Sequence, residues 1–139
     1  MTTPTTTAKG LDHVAIAVKD LDVAIKHYVE VLGFAPPEIE EVAEQQVRTA
    51  IFGHGMGRIE LICPTNPTSS VAKFLEKRGE GLHHICVEVA DIERTLADLK
   101  QKGAQLIDQT PKIGAGGAKI AFIHPKGSHG VLTELRQGK

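Results

Sequence analysis

Tryptophan is absent from the 139 residues, and aromatic side chains make up only 4% of them. So few rings argue against a surface that stacks nucleic-acid bases or cages a quaternary cation. Charge of one sign is lacking too. Sixteen basic side chains stand against 17 acidic ones, a net charge of −1, which argues against a protein that grips nucleic acid or anionic lipid. No apolar run approaches the ~18–20 residues of a membrane span. Cysteine is limited to Cys63 and Cys86, without a Cys-x-x-Cys spacing. This excludes a zinc finger and a disulfide framework. A reduced cytoplasmic protein is the simplest reading, with a Cys63–Cys86 disulfide left open. Residues 1–9 hold five threonines and no apolar segment; they read as a flexible tail rather than a secretory signal. What remains, 41% apolar and 24% charged, is enough for one ordinary domain or two small packed modules.

The chain repeats itself. Gly10-Leu11-Asp12-His13-Val14-Ala15-Ile16 lies over Gly81-Leu82-His83-His84-Ile85-Cys86-Val87 at an offset of 71, and Asp20 then falls on Asp91 and Ile25 on Leu96. Near the module ends Glu60-Leu61 resembles Glu134-Leu135 at an offset of 74; three extra loop residues account for the drift. Each copy predicts a strand (11–18, 82–89), an Asp-capped helix with helical apolar spacing, a glycine stop at Gly33 or Gly103, and further strands. Those strands are 37–42, 47–52 and 58–63 in the first copy. In the second they are 120–124, 131–136 and a weaker one at 105–107. A short helix over 70–78 joins the copies. The fold class is therefore α+β with tandem βαβββ modules: 1–9 tail, 10–67 first module, 68–80 linking helix, 81–139 second module.

His13 and His84 occupy the first strand of each copy, and Glu60 and Glu134 the last. Histidine and glutamate on otherwise apolar strands are costly to bury without a partner or an ion. Two imidazole nitrogens and two carboxylate oxygens suit a divalent ion such as cobalt, nickel, manganese or zinc. The other histidines point elsewhere. Strand alternation turns His83 to the opposite face from His84. His27 falls on a helix, His54 and His129 in turns, and His124 at a strand end as a cleft-lining or capping residue. Gly114-Ala115-Gly116-Gly117 lacks the strand-to-helix setting of a dinucleotide fingerprint and reads as a loop. Glu38, Glu40, Glu41 and Glu44 read as a solvated acidic run.

These residues, with Asp12-His13-Val14, Gly81-Leu82-His83-His84-Ile85, His124-Pro125-Lys126 and Gly130-Val131-Leu132-Thr133-Glu134-Leu135, resemble the methylmalonyl-CoA epimerases of the vicinal oxygen chelate superfamily. The resemblance implies a curved mixed sheet around a metal-binding cleft, with His13, His84 and Glu134 as metal ligands; Glu60, where some relatives have Gln and others Glu, is the fourth expected ligand. It implies an enzyme that interconverts (2R)- and (2S)-methylmalonyl-CoA by proton transfer at C2 through a metal-stabilised enolate. The repeat itself makes Glu134 and Glu60 the expected catalytic pair, because pseudo-symmetry would put them on opposite flanks of the ion. Cobalt is the first choice of ion, with manganese, nickel or zinc as others. The partner it implies is a small-molecule CoA thioester, with no nucleic acid and no membrane, and the protein would be a cytoplasmic homodimer. Where some epimerases carry a glutamate, this chain has Thr49. Lys112, Lys119 and Lys126 are candidate contacts for the CoA phosphates. Two rival readings stay open: a glyoxalase I-type enzyme, and a metal-free ligand-binding protein of the same fold.

Overall fold

The computed structural model describes residues 8–138. The tail expected over 1–9 lies outside them except for Ala8 and Lys9, which open the first strand. The chain divides into two compact units, one of His13–His83 and the other of Met1–Asp12 with His84–Lys139.

In the first unit, strand β1 (Ala8–Ala17, of which His13 onward belongs here) leads into helix α1 (Leu21–Lys26). Asp20 is its N-cap: the backbone there is extended and the carboxylate accepts from the Val23 N–H at 3.1 Å, which satisfies an amide that has no partner within the helix. The next turn, His27–Val31, widens to a π-helix as the Tyr28 ring stacks on Phe52 at 5.3 Å. Strands β2 (Glu38–Val42), β3 (Val47–Phe52) and β4 (Arg58–Pro64) follow. The sheet order is β2-β3-β4-β1, with β4 parallel to β1 and the other pairs antiparallel. One face packs Val18, Ala50, Phe52 and Leu61 with Leu21 of α1 into a core. Helix α2 (Ser70–Arg78) follows, with Ser69 as its N-cap.

The second unit repeats the plan. Strand β5 (Gly81–Val89) precedes helix α3 (Ile92–Gln101), whose cap Asp91 accepts from the Arg94 N–H at 3.1 Å. Strands β6 (Lys112–Ile113), β7 (Lys119–Ile123) and β8 (Thr133–Gln137) complete it. The order β5-β8-β7-β6 matches β1-β4-β3-β2, and β5 is again parallel to β8. Val89, Ala121 and Leu135 pack on Ile92 and Leu96 of α3.

Residues 105–107 are not a strand. They make a single bridge, Leu106 to Ile123, and the outer ladder is formed later by Lys112–Ile113. A side chain displaced the ladder: the Asp108 carboxylate accepts the Phe122 N–H at 2.8 Å, while the Phe122 carbonyl accepts from the N–H of Ile107. Strand β8 starts at Thr133 rather than 131, because the Val131 N–H is committed to the Ser128 carbonyl in the preceding turn. In the 114–118 loop a Cβ on Gly114 would stand 2.8 Å from Ile120 Cδ1, so packing rather than phosphate binding accounts for that glycine. Cys63 and Cys86 form no disulfide. Among the described residues no helix is long and apolar enough to cross a membrane.

Candidate metal centre

Side chains alternate along a strand, and the β1–β4 register pairs Ala15 with Glu60 and Ile16 with Leu61. Leu61 faces the core under α1, so Glu60 faces the other way. There its Oε1 lies 3.5 Å from His13 Nε2, with both residues buried, 5% and 4% exposed. In the second unit the β5–β8 register pairs Cys86 with Glu134 and Val87 with Leu135. Leu135 faces α3, and on the opposite face His84 Nε2 lies 3.0 Å from Glu134 Oε1, again with both residues buried. Each unit thus brings its own histidine and glutamate together.

The donor set fits a divalent ion. Ligand atoms that sit next to each other around one ion at ~2.1 Å are about 3.0–3.4 Å apart. The 3.0 Å separation in the His84–Glu134 pair falls in that range, and the 3.5 Å of the His13–Glu60 pair lies just beyond it. An imidazole nitrogen beside a carboxylate oxygen, as in each pair, also suits metals of intermediate softness.

The surroundings of the two pairs differ, and here sequence reasoning missed several residues. Phe122 meets the His84 ring edge to face, centroids 5.4 Å apart. Lys112 lies 5.3 Å from the centroid of the same Phe122 ring and 3.4 Å from Asp108. Farther along the face, Glu88 pairs with Arg136 in register, and Arg136 Nη1 lies 2.8 Å from Glu88 and 3.6 Å from Asp12. Burial by itself would lower the Arg136 guanidinium. The bond to Glu88 and the charges of Asp12 and Glu88 override it and hold the group above its ordinary value. The equivalent pair in the first unit is Ala17 with Ile62. The same register position is apolar in one copy and ionic in the other. A period-two count from Glu134 to Arg136 and from His84 to Glu88 was the available signal.

The remaining candidates fall as follows. Thr49 is buried, and its hydroxyl donates to the Glu40 carbonyl at 3.2 Å. His83 packs edge to face on Phe74 of α2, ring centroids 4.7 Å apart. His27, His54 and His129 are exposed. His124 is a cap: its Nδ1 accepts from the Lys126 N–H at 3.1 Å. Lys119 bonds Glu93 of α3 at 2.7 Å, and that bond holds the Glu93 carboxyl below its usual range. Glu38, Glu40, Glu41 and Glu44 are exposed, three of them on β2.

Residues 12–122 match the family model described as glyoxalase/bleomycin resistance protein/dioxygenase superfamily. The chain belongs to this superfamily. Human mitochondrial methylmalonyl-CoA epimerase is 41% identical over 91% of this chain and 73% of its own length. The uncharacterised protein YqjC of Bacillus subtilis is 45% identical over 93% and 92%. A solved methylmalonyl-CoA epimerase in complex with methylmalonyl-CoA and NH4+ superposes with a TM-score of 0.91 at 38% identity, covering 95% of this chain and 96% of that one. A lactoylglutathione lyase of Arabidopsis thaliana, also of glyoxalase type, is more distant, 26% identical over 90% of this chain and 43% of its own. The superfamily fold, α+β with tandem βαβββ modules, is the one expected from the sequence.

Proposed function

We propose that this chain is a metal-dependent epimerase that interconverts (2R)- and (2S)-methylmalonyl-CoA. His13 and Glu60 of one unit and His84 and Glu134 of the other hold a single divalent ion in this reading, with cobalt the first candidate. The observation that carries it is the pair of buried His–Glu contacts at equivalent places in the two units, in a chain about 40% identical to named epimerases over nine-tenths of its length. The glyoxalase reading has less support, because its relatives are 26–28% identical. A metal-free binding protein would leave two buried carboxylates without the cation that offsets their desolvation.

When bound, the ion supplies Lewis-acid stabilisation of the enolate oxygen formed on loss of the C2 proton. Inverting C2 needs proton removal on one face and delivery on the other, hence two proton-handling groups. Glu134 and Glu60 are assigned that pair. In both residues Oε1 is the oxygen nearest the histidine, and in this reading the carboxylate accepts or returns the C2 proton. Thr49 is not a member of the pair: its hydroxyl proton is engaged by the Glu40 carbonyl. A cytoplasmic homodimer belongs to the same reading, with sedimentation velocity as its check.

The test is deuterium incorporation at C2 of methylmalonyl-CoA in heavy water, followed by NMR. Metal-loaded protein exchanges and chelator-treated protein does not. Glu60→Gln is expected to slow epimerisation by about 10²–10⁴-fold, the usual worth of a positioned acid–base group. An undiminished rate in that variant removes Glu60 from the pair.

A further inference from the structure

We propose that Lys112 binds an anionic group of the acyl-CoA substrate beside the His84–Glu134 pair; this deepens the epimerase reading and rests on it. The Lys112 ammonium lies 5.3 Å from the Phe122 ring centroid, and that ring meets His84 at 5.4 Å with planes 88° apart. One aromatic side chain therefore separates the cation from the pair. Phe122 is well fixed: its N–H goes to Asp108 Oδ2 at 2.8 Å, and its carbonyl accepts from Ile107 at 2.9 Å. Asp108 Oδ1 holds Lys112 at 3.4 Å, but the lysine side chain is still 39% exposed. A half-exposed ion pair of this kind contributes little to stability. The ammonium can exchange Asp108 for a ligand anion at small cost, while Asp108 retains the Phe122 N–H.

Of the three lysines singled out in the sequence, Lys112 lies over Phe122, which packs against His84. Lys119 is bonded to Glu93 of α3 on the other side of the sheet, and Lys126 is exposed in the turn that His124 caps. A lysine is a compact point charge on a flexible stem and accepts either a carboxylate or a phosphate. The substrate offers both, a free carboxylate and the CoA phosphates.

The experiment compares wild type, Lys112→Met and Lys112→Arg on methylmalonyl-CoA and on methylmalonyl-pantetheine, which lacks the nucleotide phosphates. Lys112→Met is expected to lose about tenfold in kcat/KM, the worth of one charge-assisted bond. Metal content and Tm stay unchanged, and Lys112→Arg recovers most of the loss. A loss confined to the CoA substrate identifies the phosphates; an equal loss on both identifies the carboxylate. Equal kcat/KM for wild type and Lys112→Met on both substrates overturns the proposal. Calorimetric titration with CoA and with malonate reads the same contact without turnover. Wild type that binds either one through Lys112, yet exchanges no C2 deuterium, leaves this inference standing and removes the epimerase reading. Binding that is absent, or unaffected by Lys112→Met, removes the inference.

Discussion

A carboxylate with less than a tenth of its surface in water needs compensation, and this protein supplies it by two means. Glu60 and Glu134 each face a buried histidine. Asp12 faces the Arg136 guanidinium instead, which also binds the partly buried Glu88, and Glu88 accepts from the Gly138 N–H at 3.0 Å as well. Removing the cation takes away the positive charge that both carboxylates face. Arg136→Met is expected to cost about 2–3 kcal/mol, below the full penalty for a buried ion pair because the arginine is partly exposed. Urea unfolding measures it, and adding Glu88→Met to the same chain should recover part of the loss. The four candidate ligands were legible in the sequence because histidine and glutamate recur at matching places on apolar strands. Arg136 and Glu88 were not, because their counterparts Ile62 and Ala17 are apolar and the repeat gave no reason to look there.

At the scale of elements, the two capping aspartates and the glycines after the helices were readable from local chemistry, and the structure has them. Gly33 and Gly103 take φ of 81° and 79°, the left-handed region that ends a helix. Asp91→Ala removes an acceptor for the Arg94 N–H. It should lower stability by about 1 kcal/mol, read as a lower thermal midpoint with no change in metal content. The Ile92 N–H keeps its own acceptor, Gln137 Oε1 at 2.8 Å, so the helix should shorten at its first turn rather than melt. The misplaced strand at 105–107 has the opposite lesson. Apolar patterning marked a segment that lies against β7, but whether backbone or the Asp108 carboxylate takes the Phe122 N–H is a competition that no local pattern encodes.

At the scale of the whole molecule, the duplication carries the prediction. If each unit contributes one His–Glu pair to a shared ion, purified protein binds one divalent ion per chain, and an alanine at any of the four positions weakens that binding. Metal bound to the folded state alone stabilises it by mass action, about 2.7 kcal/mol at a free ion concentration of 100 Kd. Chelation should therefore lower the thermal midpoint, and restoring the ion should return it. Two ions per chain, or a midpoint indifferent to chelator, would contradict a single shared site.

From its own letters the chain determines the repeat, the strand–helix order, the caps and the four buried ligand candidates. Each of these rests on spacing, on side-chain chemistry, or on the cost of placing a polar group among apolar ones. Only the tertiary structure decided the partners of those groups. Lys112 lies over Phe122, Arg136 joins Asp12 to Glu88, and Asp108 claims the amide of Phe122. Contacts between residues far apart in sequence depend on register and packing, which no short window of sequence contains.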